Sequence, residues 1–316
     1  MSEVKIVTPS LNKETSRFGP TEIRLPSAGL FYGGQPPDGI VTVTPMKTRH
    51  ERLLASVTND TMFKTMLQIF SECTDLPFPP NELLLMDVMY LMVVLRSISL
   101  GHDIEQTMIC PRCESKYTHY MRWPDDLDTL VATEEDKPPF YTVLPVCGKK
   151  FGWRYLFGKD EPEITKRVRK IMEDAAQERD PEARKKALED LKNIIMVVRM
   201  AQAVVSIDGE DMSANFSMRR KIEVLDDLVM YDAQFLETAM RDKQFGFVME
   251  TVAVCPECGH ETRQDVQPSA EFFRPKINVG GYSRTGIPPE NGGKATTDGN
   301  RGDDHRPAPV VDGQAG

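Results

Sequence analysis

The spacing of apolar side chains changes along this chain, and the changes mark where strands give way to helices. Residues 23–25 and 40–44 alternate apolar with polar side chains, which predicts two short strands. Beyond them the apolar spacing becomes helical, and we predict one helix over 48–57 and another that begins near Asn59. The N-terminal part of the fold is therefore expected to join a small sheet to helices.

The most apolar stretch of the chain follows a rigid proline-rich connector. We predict a helix from Glu82 to Ser99, capped by Asn81 and closed by Gly101. Apolar side chains cover almost its whole circumference, which is typical of a helix at the centre of a core. Its methionines would also suit an adaptable binding surface, and that alternative stays open.

The second half of the chain mixes short alternating runs with helical ones. Alternation over 103–109 and 116–123, and again over 245–254 and 261–266, predicts two pairs of strands. Between the pairs we expect a hairpin, four helices and one further strand: the hairpin over 140–144 and 150–155, the helices over 161–178, 181–202, 218–228 and 231–243, and the strand over 204–207.

Each predicted strand pair flanks a turn with two cysteines, Cys110-Pro-Arg-Cys113 in the first and Cys255-Pro-Glu-Cys258 in the second. Four thiolates at this spacing suit a tetrahedral metal site, and Zn²⁺ is the ion that such sets most often bind. A closed shell of four sulfurs leaves no position for water, so the zinc would be structural. Iron in a rubredoxin-like site and redox-active Cys-x-x-Cys pairs are the alternatives.

The other cysteines and the histidines give weaker signals. Cys73 lies in a helical run beside apolar residues and is expected to be a small buried side chain. Cys147 precedes a glycine at a turn and is not expected to be a ligand. His119 and His260 follow the cysteine turns closely; either could replace a thiol or contact a sulfur, but exposed strand positions fit them better.

Composition limits the classes of function. A net charge of −9 argues against a chain that coats nucleic acid. A local nucleic-acid-binding surface would still suit the basic and aromatic residues Lys116, Tyr117, His119, Tyr120, Arg122 and Trp123. The window over 83–100 contains charged residues, so no membrane span is expected, and the first residues do not resemble a secretory signal. No pattern typical of a catalytic site is present, and we expect a protein that is not an enzyme.

We therefore predict an α+β protein with a split zinc ribbon, in which a long insertion separates the two cysteine turns. Residues 1–22 are polar, with two prolines and several Ser and Thr, and the chain from Asn278 onward is dominated by Gly, Pro, Asp and Asn; both compositions predict disorder. The expected parts are a flexible N-terminal arm (1–22), short strands with a helical core (23–101), the split ribbon (102–124 and 245–275), a hairpin and helical insertion (125–244), and a disordered tail (276–316).

Several segments in a fixed order resemble a family of baseplate hub and hub-assembly proteins from contractile-tailed, T-even-type bacteriophages. They are the segment over 25–32 (Leu-Pro-Ser-Ala-Gly-Leu-Phe-Tyr), the segments over 84–87 and 95–101, both cysteine turns, and Phe272-Phe273. The resemblance covers about residues 20–275.

The resemblance implies a structural or assembly role at the tail tip, without catalysis. It also implies other baseplate, hub and tail proteins as partners, a place in the virion tail baseplate that is assembled in the host cytoplasm, and a possible homo-oligomer. A zinc-ribbon factor that binds nucleic acid is the alternative function. The zinc itself rests on the cysteine spacing of this chain, since relatives do not all carry the cysteines.

Overall fold

The computed structural model describes residues 19–122, 128–177, 191–212, 216–247 and 250–265. Within these ranges the chain forms a mixed helix and sheet fold. The helices are α1 (Thr48–Ala55), α2 (Asn59–Cys73), α3 (Leu85–Leu100), α4 (Glu161–Ala176), α5 (Leu191–Ala203), α6 (Met218–Asp226) and α7 (Met230–Asp242). The strands are β1 (Thr21–Arg24), β2 (Ile40–Val43), β3 (Asp103–Ile109), β4 (Lys116–Arg122), β5 (Thr129–Leu130), β6 (Phe140–Val143), β7 (Lys150–Trp153), β8 (Val204–Ile207), β9 (Glu210–Asp211), β10 (Gly246–Phe247), β11 (Glu250–Val254) and β12 (Glu261–Asp265).

The N-terminal core is built around α3, as the sequence predicts. Every side chain from Tyr90 to Ile98 is buried. The antiparallel pair β1–β2 and the helices α1 and α2 cover this helix, with Val43, Met66 and Phe70 fully enclosed. Burial all round the helix explains why its sequence has almost no polar face.

Helix α3 begins three residues later than the predicted Glu82. Residues Pro80–Glu82 form a short 3-10 helix, and Leu83 and Leu84 are extended. Their backbone bonds to another part of the chain instead of continuing the helix: Gly158 N–H donates to the Leu83 carbonyl at 2.8 Å, and Leu85 N–H donates to the Leu156 carbonyl at 2.9 Å. The predicted Asn81 cap is therefore wrong, because a tertiary contact takes the place of the first helical turn.

The inserted residues form a core of their own, which we call the insertion core. A four-stranded antiparallel sheet has the order β6-β7-β8-β9, and helices α5, α6 and α7 contribute to the same cluster. Phe151, Trp153 and Leu236 are buried at its centre. Helix α4 buries a single side chain, Ile164, and its charged faces meet solvent, in keeping with the many charges of its sequence.

The loop over 25–32 joins the two cores. The Phe31 ring lies parallel to Phe245 with centroids 5.5 Å apart, and its edge meets Tyr155 at the same distance. Tyr32 packs on Phe78, and its hydroxyl accepts the Leu84 N–H at 2.8 Å and donates to the Asp87 carboxylate. These aromatic contacts connect the N-terminal core to the insertion core.

Asp87 is the buried hydrogen-bond acceptor where the loop over 25–32 meets α3. It is fully enclosed and also accepts the Ser27 N–H at 3.1 Å. Burial raises the pKa of Asp87 to about 6, although its hydrogen bonds to Ser27 and Tyr32 act in the opposite direction. The contact between this loop and α3 therefore contains a carboxyl group whose ionised form is disfavoured by burial.

Some expectations meet the limits of the described residues. The predicted arm is too long, because Thr21 and Glu22 already belong to β1. The remainder of that arm, the predicted tail and the start of the helix expected from 181 lie outside the described residues. No described helix combines the length and the apolar character needed to cross a membrane.

Candidate metal centre

Two hairpins with cysteine turns face each other in the structure. Strand β3 pairs with β4, and β11 pairs with β12, each in antiparallel register. Alternation along the strands places Met108 and Ala253 on the buried inner faces, next to the cysteine turns. At the base of the first hairpin, Ile104 and Met121 belong to the N-terminal core. The hairpin is therefore anchored at one end and carries its cysteines at the other.

The two cysteine turns have the same backbone hydrogen bonds. In the first, Cys110 N–H donates to the Ser115 carbonyl at 2.9 Å and Glu114 N–H donates to the Cys110 carbonyl at 2.9 Å. In the second, Cys255 N–H donates to the His260 carbonyl at 3.0 Å and Gly259 N–H donates to the Cys255 carbonyl at 2.9 Å. Glu114 and Gly259 occupy the matching left-handed position, with φ of 59° and 66°.

Both turns direct their thiols to one point. The Sγ atoms of Cys110 and Cys258 are 3.6 Å apart, and those of Cys113 and Cys255 are 3.7 Å apart. All four sulfurs lie within 4.8 Å of one another, in the one cluster of potential metal ligands found among the described residues. The structure thus brings together the four cysteines that the spacing singled out, from turns 142 residues apart in the chain.

A serine hydroxyl contributes to this cluster. Ser115 Oγ lies 3.1 Å from Cys113 Sγ and 3.2 Å from Cys255 Sγ, so it can donate to either sulfur. The hydroxyl lowers the pKa of Cys113 and lowers that of Cys255 to about 6. Ser115 was not predicted as part of the site, since a serine two residues after a cysteine carries no signal without the turn geometry.

The crowding of the sulfurs opposes ionisation of the Cys258 thiol. The backbone of His260 lowers the pKa of Cys258, but burial and the neighbouring cysteines outweigh it and raise the pKa to about 12. Like charges this close disfavour one another, and a divalent cation among them would favour the thiolate form of all four. The cluster has the donor chemistry of a metal-binding site.

A third turn has the same form as the cysteine turns but lacks the first thiol. In Leu144-Pro-Val-Cys147-Gly-Lys149, Leu144 N–H donates to the Lys149 carbonyl at 2.9 Å and Gly148 N–H donates to Leu144 at 3.0 Å. Its acceptor comes from α7, where both oxygens of the buried Asp232 accept N–H groups of the turn. Cys147 is exposed and does not belong to the sulfur cluster, in agreement with the expectation from sequence.

A second group of side chains was not predicted from the sequence. His50 is buried, with Nδ1 3.6 Å from Cys73 Sγ and Nε2 3.1 Å from Glu72. The set has the composition of a thiol nucleophile with its base, but Nδ1 also accepts the Lys47 N–H at 3.0 Å, and burial raises the pKa of Cys73 to about 11. These contacts fix the start of α1, and Cys73 is the buried side chain that the sequence predicts.

A cleft of about 540 Å³ lies between α3, α5 and α7. Its walls are mainly apolar and include the thioether side chains of Met86, Met89, Met196, Met200 and Met240, but Arg154, Arg199, Glu237 and Arg241 also line it. No thiol, hydroxyl or imidazole lines it among the described residues apart from the Tyr155 phenol, whose oxygen donates to the Lys243 carbonyl at 2.8 Å. The cleft therefore offers a mainly apolar surface with a few charged side chains.

Taken together, the described residues form two cores joined by the loop over 25–32, with a four-thiol cluster between two paired hairpins. This is the class of mixed helix and sheet proteins with a potential metal-binding centre. A family model described as T4 bacteriophage base plate protein matches residues 30–274, and the chain belongs to this family. No significant match was found among curated proteins or among solved structures. The resemblance to T-even-type baseplate proteins is thereby confirmed, and family membership indicates a structural role in the phage tail, with other tail and baseplate proteins as partners.

Proposed function

We propose that the chain is a structural or assembly subunit at the hub of the contractile-tail baseplate, acting through protein–protein contacts. The match to the baseplate family over 30–274 carries this proposal, since it spans the insertion core, most of the N-terminal core and both cysteine turns. The architecture is consistent with such a role, because a small protein with two packed cores can hold two surfaces in a fixed relation. Assembly would take place in the host cytoplasm, before the finished tail carries the protein in the virion.

The four thiols would hold one structural Zn²⁺ ion. A regular tetrahedron with Zn–S bonds of about 2.3 Å has edges of about 3.8 Å, and the two closest sulfur pairs here lie 3.6 and 3.7 Å apart. Cys110, Cys113, Cys255 and Cys258 would be the ligands, and Ser115 would donate to two of them from outside the shell. Four sulfur ligands leave no open position, so the ion would stabilise the fold without activating water.

The alternative nucleic-acid function has less support from the surface of the ribbon. Of the six predicted residues, Lys116, Tyr120 and Arg122 lie on one face of the first hairpin. Tyr117 and His119 lie on its other face, and Trp123 is outside the described residues. However, Arg122 is paired with Asp103 at 2.7 Å, and Tyr120 is opposite Glu105 in the register. Carboxylates beside the cation and the aromatic ring oppose the approach of phosphate groups.

The proposed function is tested in the phage that encodes the chain. Baseplates purified from virions are analysed by mass spectrometry, and infections with a disrupted gene are examined for tail morphology. We expect the chain at a fixed stoichiometry in baseplates, or tails without complete baseplates when it is missing. Normal baseplates and infectivity without the protein would contradict the proposal, and tight salt-sensitive binding to DNA would favour the alternative.

A further inference from the structure

Strand β6 is the outermost strand of the insertion sheet. The sheet has the order β6-β7-β8-β9, so β6 pairs with β7 on one side, and no further strand lies on its other side among the described residues. An edge strand presents backbone N–H and C=O groups that can pair with another extended chain. The opposite edge, β9, is two residues long and acidic, and offers much less.

The hydrogen-bond pattern identifies which groups of β6 point outward. Lys150 directs its N–H to Asp208 Oδ1 at 2.7 Å and accepts the Asp208 N–H at 2.8 Å, so its backbone faces away from β6. Val143 lies opposite Lys150 in the register, and Tyr141 lies opposite Gly152 two residues on. Because paired residues of an antiparallel ladder alternate in bonding direction, Tyr141 and Val143 have their backbone groups at the free edge.

The same two residues present exposed apolar side chains. Tyr141 and Val143 are 57% and 58% exposed, whereas Phe140 and Thr142 are turned partly inward. The four residues of β6 include no charged side chain, which is the usual protection of a strand edge. Nearby, the Lys150 ammonium lies 4.4 Å from the centre of the Tyr141 ring, and Lys149 is exposed beside it.

We propose that an extended segment of a neighbouring protein pairs with the free edge of β6 and continues the insertion sheet. Its backbone would bond to Tyr141 and Val143, its alternate apolar side chains would cover theirs, and a carboxylate would reach Lys149 or Lys150. Backbone pairing supplies affinity in such contacts, and the alternate side chains supply specificity.

A second copy of this chain fits the edge less well. Two β6 strands side by side would offer no carboxylate to the lysines, because the strand reads Phe-Tyr-Thr-Val. The four-residue strand also falls well short of the roughly 800 Å² per partner that a stable dimer usually buries. A different protein with apolar and acidic side chains in alternation is the better complement.

This inference rests on the proposed function in that it names a contact surface for a protein that acts by assembly. It is tested with purified full-length chain and a labelled synthetic peptide, Glu-Val-Thr-Val-Thr-Val-Glu, by fluorescence anisotropy. Two matched peptides serve as controls: one with Lys in place of both Glu residues, and one with N-methyl groups on alternate amides. We expect the first peptide to bind roughly tenfold more tightly than either control, since each control loses about 1.4 kcal/mol of charge or hydrogen-bond contacts.

One variant removes a single outward donor. Val143→Pro deletes the N–H at the free edge and leaves the bonds between β6 and β7 intact, whereas Val143→Ala keeps the N–H and shortens the side chain. We expect Val143→Pro to weaken peptide binding by about tenfold or more, and Val143→Ala to weaken it less. Circular dichroism and thermal melting establish that both variants are folded.

A measurement on the unaltered protein keeps the test decisive if Val143→Pro does not fold. Amide hydrogen exchange of Tyr141 and Val143, followed by NMR, should slow when the Glu peptide is added. Unchanged exchange at both amides would overturn the proposal, as would a dimer in sedimentation experiments that excess peptide does not disrupt. Neither result bears on whether the chain is present in baseplates, so failure of this inference is separable from failure of the proposed function.

Discussion

The carboxylate of Asp232 accepts the backbone N–H of Cys147 at 2.9 Å, and its other oxygen accepts the N–H of Val146 at the same distance. In the first cysteine turn the residue equivalent to Val146 is Arg112, whose N–H donates to the Cys110 sulfur at 3.4 Å. Asp232 thus takes over the acceptor role of a missing thiolate. In the third turn the backbone N–H groups are bound by a carboxylate on α7, whereas in the two cysteine turns they are bound by the sulfur of the first cysteine.

Asp232→Asn should destabilise the protein near neutral pH. Burial favours a raised pKa for Asp232, but the N–H groups of Val146 and Cys147 outweigh it and lower the pKa below its usual value. A lowered native pKa contributes stability above the unfolded pKa of about 4, and that stability is lost as pH falls through the native value. Thermal melting at several pH values should therefore separate wild type from the variant at pH 7 and bring the two together under acid conditions. Asp227→Asn, which alters a carboxylate just before α7, is the control.

Loss of one cluster thiol should remove the metal and destabilise the fold together. Cys110→Ser and Cys255→Ser each leave three sulfurs in the proposed shell, and closed structural sites bind much more weakly without one ligand. The check is metal content by mass spectrometry alongside thermal melting. Cys147→Ser, an identical change in the third turn, should keep one equivalent of metal. If wild type purifies without metal and melts like both cluster variants, the zinc hypothesis is wrong; one equivalent of iron would correct only the identity of the ion.

Ser115→Ala should weaken metal binding without changing its stoichiometry. The hydroxyl lies within 3.2 Å of two cluster sulfurs, and partners outside the first shell typically change affinity by about 10–100-fold. Competition with a chromogenic chelator measures the difference. Thr118→Ala, on the outer face of the same hairpin, should match wild type; equal affinities for Ser115→Ala and wild type would exclude a role for the hydroxyl.

Asp87 should make stability depend on pH in the opposite direction from Asp232. Burial raises the pKa of Asp87 to about 6. The protonated carboxyl therefore contributes its full stabilisation below the unfolded pKa near 4, and this stabilisation is lost as pH rises through 6. A shift of about two units corresponds to about 3 kcal/mol across this window. Denaturant unfolding of wild type and Asp87→Asn from pH 4 to pH 7 should show wild type losing that advantage relative to the variant. Parallel curves would mean that Asp87 does not titrate in this range.

Arg154→Ala should be strongly destabilising. Its guanidinium donates to both oxygens of Asp160 at 2.7 and 2.8 Å, and that carboxylate, only 6% exposed, also accepts from Phe157 N–H and Gln202. Removing the guanidinium leaves the buried Asp160 carboxylate without a cation, which should lower the free energy of unfolding by about 3 kcal/mol. The exposed pair Arg219–Glu223 supplies the control, since Arg219→Ala should change the free energy of unfolding by less than about 1 kcal/mol. Similar losses in both variants would contradict this account.

Local patterns in the sequence predicted local structure well. The strand predicted over 103–109 is confirmed at both ends, because strict alternation and the following cysteine turn define it without tertiary help. The meeting of Cys110 with Cys258 was also predictable, since a tetrahedral ion needs four ligands and each turn supplies two.

Features that depend on partners distant in sequence were beyond that reasoning. The start of α3 is displaced by backbone bonds from Leu156 and Gly158, which no helix-capping rule contains. Asp232 and His50 acquire their roles only when α7 meets the third turn and α2 meets α1. Neither side chain carries a signal in the sequence by itself. Asp232 binds the backbone of a distant turn, and His50 contacts the thiol of a distant cysteine.

The separation of the two cysteine turns has a consequence for the time course of synthesis. The ribosome adds Cys255 142 residues after Cys113, which takes roughly 7–30 s at about 5–20 residues per second. During that interval the first turn holds only two thiols, while the helical core and the insertion have time to collapse. A chain that stops before Cys258 could not complete the four-sulfur cluster. Closure of the cluster thus requires synthesis as far as Cys258, and chains that stop earlier would bring no rigid ribbon to the growing tail.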